Sequence, residues 1–60
     1  MNKETKLYEF YYTLIHNKDV KIIWGLKWCK LPERTKIYKI LINKLDSGQI
    51  NTFGYEQIEN

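Results

Sequence analysis

Residues 20–31, VKIIWGLKWCKL, decide how the rest of this chain folds. They hold both tryptophans, the only cysteine and a run of aliphatic residues, with lysine the only charge. Exposed to water, such a segment would present two indoles and several aliphatic side chains, so the fold must shelter it. Two periodicities fit it. On a helix, Val20, Ile23, Trp24, Trp28 and Leu31 share one face, with Lys27 intruding. On a strand, Val20, Ile22, Trp24, Leu26 and Trp28 alternate without a miss, and the β-branched and aromatic content agrees. The length of the run and its flanks, with Asp19 as an N-cap before it and Leu31-Pro32 after it, favour the helix. Gly25 weakens that reading by roughly 1 kcal/mol against alanine. In a helix it would serve to let another backbone come close.

Upstream, Leu7, Phe10, Tyr11 and Leu14 fall at helical spacing, with Tyr8, Tyr12 and Ile15 in a second row. The polar stripe is narrow: Thr5, Glu9, Thr13 and His16. An arc so broadly apolar exceeds what one neighbour covers, which points to a second contact, inside the chain or on another molecule. Asn17-Lys18-Asp19 is a polar break. Downstream, Pro32 and Glu33 read as a helix start, and Ile37, Ile40, Leu41 and Leu45 recur at helical spacing opposite Lys36, Lys39 and Asn43. Gly48 is placed to end that helix. In the tail, Ile50, Phe53, Tyr55 and Ile58 stand among polar residues around Gly54, which suggests an irregular arm.

The fold expected from this reading is a single small all-α domain over residues 1–60, with helices near 3–17, 20–30 and 32–46 and an irregular tail over 49–60. The runner-up is an α+β arrangement with residues 19–29 as a strand.

Sixty residues set a tight limit on the core, since a chain this short buries only about 60 % of the surface its unfolded form exposes. One cysteine excludes an internal disulfide, and one cysteine with one histidine excludes a four-ligand zinc site. The nine aromatic residues suit either a compact core or a binding face. A homodimer would relieve the shortage of core. The lone thiol and the absence of a signal-like or membrane-length apolar run lead to the expectation of a cytoplasmic protein with no membrane association.

The net charge of +3 is segregated: residues 1–19 balance to zero, residues 20–45 carry +6 and residues 46–60 carry −3. Among these, Lys27, Lys30, Arg34, Lys36 and Lys39 surround the connection between the second and third expected helices. Cations at a tight helix–helix turn are a feature of DNA-reading helix pairs, but the outer row here is mainly lysine, where base readout uses Arg, Asn or Gln.

Catalytic equipment is sparse. His16 and Asp19 are spaced to meet across one helical turn, yet no nucleophile stands beside them. Cys29 would be activated by Lys30 if exposed, and inert as a buried apolar residue. No phosphate-binding glycine loop, acidic metal cluster or nucleophile motif is present, so no cofactor or metal is expected. The expectation is a non-enzymatic protein-binding regulator or inhibitor acting by surface occlusion, with Tyr8, Tyr11, Tyr12 and Ile15 as its contact surface. The Lys-, Ile- and Asn-rich composition suggests an AT-rich genome, and chains this short are common in phages and mobile elements, so a host protein is the expected partner. The alternative is a nucleic-acid-binding regulator using the basic 27–39 region.

Overall fold

The computed structural model describes residues 5–59. It is an antiparallel sheet with one helix, not three helices. Strands β1 (Lys6–Thr13), β2 (Lys21–Cys29) and β3 (Thr52–Glu59) lie in the order β2-β1-β3. A 3-10 turn (Pro32–Arg34) and helix α1 (Lys36–Asp46) connect β2 to β3.

The all-α expectation fails at three segments. The first expected helix (3–17) is β1, the second (20–30) is β2, and the tail forms β3 instead of an irregular arm. The beginning of the first expected helix, residues 3 and 4, lies outside the described residues. In the first two, apolar residues that fit a helical stripe also fit a strand, and in the tail Phe53 and Tyr55 alternate around Gly54; β1 is paired on both sides from Leu7 to Thr13, which draws all three into one sheet. The polar break acts as a hairpin turn, with the Val20 amide donating to the Asn17 carbonyl (3.1 Å). Asp19 therefore precedes a strand and caps no helix. For the central segment, the strand alternative is what the structure adopts.

The third expected helix shortens to α1 because Thr35, not Leu31, is its N-cap. The Thr35 hydroxyl accepts from the Tyr38 amide (3.2 Å) and donates to the Pro32 carbonyl (2.7 Å), locking the 3-10 turn to the helix. At the other end Gly48 takes φ +76°, the left-handed conformation glycine adopts most readily, and the Gln49 amide donates to the Lys44 carbonyl (2.9 Å).

The helix lies on the face formed by the even-numbered residues of β1. Phe10, Leu41 and Ile50 are buried there, with Tyr8, Tyr12, Ile37, Tyr38, Phe53 and Tyr55 packed around them. Tyr38 ties the helix to the sheet, meeting Phe53 edge-on at 5.2 Å and Tyr55 at 6.1 Å, while within the sheet Tyr8 and Phe10 lie 5.7 Å and 6.0 Å from Tyr55. Tyr55 also donates from its hydroxyl to Glu33 (3.0 Å), which joins β3 to the 3-10 turn. Its phenol pKa is accordingly raised, chiefly by that carboxylate.

The result is a thin slab, 41 × 20 × 11 Å between Cα extremes, one sheet and one helix deep. Among the described residues, no helix is long and apolar enough to cross a membrane.

Candidate protein-binding face

The opposite face of the sheet carries no second layer among the described residues. The pairing register assigns its occupants. Leu7 faces Trp28, Glu9 faces Leu26, Tyr11 faces Ile23 and Thr13 faces Lys21. From the third strand, Glu59, Glu56, Gly54 and Thr52 face Leu7, Glu9, Tyr11 and Thr13. Leu26 is 55 % exposed, Trp28 51 % and Ile23 49 %. These values are far from those of a sheet interior, so the apolar row on β2 faces solvent.

A β-bulge divides the segment that sequence alternation places on one face. The register shifts opposite Phe10 and Tyr11, leaving Trp24 as the additional residue of β2. Ile22, opposite Tyr12, and Trp24 stay on the helix side, where the Trp24 ring meets Tyr12 at 5.9 Å and the Lys44 ammonium stands 5.4 Å from its centre. Leu26 and Trp28 go to the bare side. The two tryptophans thus serve different faces. Gly25 sits at the bulge with open space where a Cβ would be, so no other backbone packs over its side-chain position.

Near the hairpin end the bare face is braced by three stacked groups. The Tyr11 ring leans across β3 onto Gly54, where an added Cβ would stand 2.6 Å from the tyrosine hydroxyl oxygen. The Lys21 ammonium lies 4.3 Å from the centre of the same ring and pairs with Glu56 at 3.1 Å. Its pKa is raised, first by that hydrogen bond. Lys21 is the one lysine the register puts on this face among the described residues, against Glu9, Glu56 and Glu59.

The expected contact residues are separated by strand alternation. Tyr11 is on the bare face, Tyr8 and Tyr12 pack against the core on the helix side, and Ile15 is exposed in the β1–β2 connection. Leu7, Ile23, Leu26 and Trp28 join Tyr11 instead. Gly25 was the available signal, because a glycine inside a strand pattern marks a bulge and therefore a change of face.

The basic set lies elsewhere. Lys27 projects from the helix side of β2, opposite Tyr8. Lys30 and Arg34 line a groove of about 340 Å³ with Tyr8, Leu31, Pro32, Glu33 and Tyr55. Lys36 and Lys39 are exposed in the first half of α1. His16 and Asp19 are both exposed in the hairpin connection. Burial pushes the Cys29 thiol pKa up, against the smaller opposing effect of Lys27. No group of three or more His, Cys, Asp or Glu side chains among the described residues is arranged to hold a metal ion.

Compared with protein-family models, with curated proteins and with solved structures, the chain matches none.

Proposed function

We propose that this protein is a non-enzymatic protein-binding regulator that works by covering a surface of its partner with the bare face of the sheet. The observation that carries this reading is the one-sided layering. The same strands bury Phe10 completely under α1 and leave Leu26, Trp28 and Ile23 about half exposed on the reverse. Among the described residues only Phe10, Pro32, Leu41 and Ile50 are buried apolar residues, so much of the chain's large apolar surface is left for contact. Contiguous exposed apolar surface of this kind marks interaction sites, and Trp and Tyr are the residues most enriched at binding hot spots. A host protein remains the proposed class of partner and the cytoplasm its proposed setting.

The test is capture from nuclease-treated lysate with the wild type and with a Leu26→Thr, Trp28→Thr variant, both residues replaced by a polar residue suited to strands. A partner held by the wild type and lost by the folded variant supports the reading. A partner held equally by both contradicts it.

A second reading, nucleic-acid binding through the helix side, is favoured by one observation. Lys36 and Lys39 occupy the positive end of the α1 dipole, where cations are unfavourable, beside the groove shared by Lys30 and Arg34. Under that reading, Lys36→Ala with Lys39→Ala reduces both the affinity for duplex DNA and the steepness of its salt dependence.

A further inference from the structure

Resting on the reading that the bare face binds protein, we propose that its occupant is a cationic amphipathic α-helix presented by the partner. Three features of the face select this ligand.

The first is charge. Glu9 and Glu56 stand directly opposite one another on neighbouring strands, a placement unfavourable within an isolated sheet. Glu59 extends the acidic margin two pairs further from the hairpin turn, opposite Leu7. The one lysine on the face, Lys21, already pairs with Glu56. The chain as a whole is basic, at +3, so an acidic margin here is a property of the face and not of the composition. The charges that complement it are cationic, set beside an apolar stripe that fits Ile23, Leu26 and Trp28.

The second is length. From Ile23 to Trp28 the apolar row spans about 17 Å at ~3.3 Å per residue, which is about eleven residues of helix at ~1.5 Å each. The sheet already carries a helix of that size on its other side, since α1 has 11 residues.

The third is the state of the edges. Both outer strands are irregular: β2 by the Trp24 bulge and β3 by the register shift that leaves Ile58 without an opposite residue. Bulges interrupt the row of unpaired backbone groups that an added strand would need. The face, not the edge, is the surface prepared for contact.

A second copy of this chain is the less suitable occupant. Pairing two bare faces buries Glu9, on the central strand, against a surface whose only lysine among the described residues is already paired.

The experiment uses the full isotope-labelled chain and two stapled fifteen-residue helical peptides. Both carry leucines at helical spacing; one has lysines along a flank of that stripe and the other has glutamates there. The lysine peptide is expected to shift the amides of Leu7, Glu9, Tyr11, Leu26 and Trp28. It should bind at least about tenfold more tightly than the glutamate peptide, more weakly as salt rises. Glu9→Gln should lower its affinity about threefold or more while leaving the unfolding midpoint at or above the wild type's, since it also relieves the repulsion from Glu56. Equal binding of the two peptides, or shifts confined to the helix side, overturns the proposal. So does binding of neither peptide. If, in that case, the chain's mass in solution doubles with concentration and Leu26→Thr abolishes the doubling, the face binds protein but its occupant is a second copy. If there is no self-association and the Leu26→Thr, Trp28→Thr variant also captures the lysate partner normally, the underlying reading of the face falls as well.

Discussion

The two faces of one three-stranded sheet have opposite fates here. On the helix side, Phe10 is fully buried beneath α1 and ringed by Tyr8, Tyr38, Phe53 and Tyr55. On the reverse, residues of similar hydrophobicity are about half exposed and mixed with carboxylates. Apolar character alone therefore does not mark the core of this protein; the position of the covering helix does. Where hydrophobic surface exceeds what a small fold can bury, the excess is available for recognition.

The contrast is broken most severely at its buried centre. Phe10→Ala removes the ring that joins the sheet to α1 and is expected to cost about 3–5 kcal/mol, enough to unfold most of a domain this small at room temperature. Circular dichroism at 25 °C would register it as loss of the folded signal. Thr35→Ala is the next largest. It deletes the helix cap and leaves the Tyr38 amide and Pro32 carbonyl without their hydroxyl partner, at about 1–2 kcal/mol. Urea unfolding would show a lower midpoint with an unchanged slope.

On the bare side the expected effects are smaller and local. Gly54→Ala places a methyl group where the Tyr11 ring lies, so the ring must swing away and release Lys21 from its face. The cost is expected to stay under about 1 kcal/mol, because an exposed cross-strand contact is involved and not the core. Altered ring-current shifts around Thr52 to Glu56 would be the signature. Cys29 gives the smallest effect. Its raised pKa leaves less thiolate at pH 8 than the ordinary value of 9.0 would, so alkylation should be slower in the folded chain than in urea. The sign of the linkage follows: the stabilisation from the neutral thiol is complete below about pH 9, the ordinary value, and is lost as pH rises through the raised one.

The sequence discloses these regions unequally. The α1 segment is legible because Ile37, Ile40, Leu41 and Leu45 recur at helical spacing against Lys36, Lys39 and Asn43, with Gly48 closing it, although of these four only Leu41 is fully buried and Ile40 and Leu45 stay exposed. β1 is not. Residues 7–15 are apolar on nearly every side, interrupted only by Glu9 and Thr13, and such a run satisfies periods of 3.6 and 2.0 equally. The reason is physical: β1 is the central strand, apolar toward α1 on one side and toward the bare face on the other. β2 hides its own division. A perfect alternation from Val20 to Trp28 suggests one apolar face, and only the extra residue at Trp24 sends the two tryptophans apart. In the tail, Phe53 and Tyr55 alternate around Gly54 over too short a run to outweigh the polar residues beside them. The acidic margin lies beyond sequence reading altogether, since Glu9 and Glu56 meet only through β1–β3 pairing. The basic set is visible in the sequence as a charge bias, but its separation from the bare face is not.

The central claim, that one face is core and the other a working surface, is tested most directly by urea unfolding of the Leu26→Thr, Trp28→Thr variant beside Phe10→Ala. The expected result is a midpoint close to wild type for the bare-face variant and a collapsed transition for Phe10→Ala. A bare-face variant that loses its transition as completely as Phe10→Ala would contradict the claim, because Leu26 and Trp28 would then be part of what holds the chain folded.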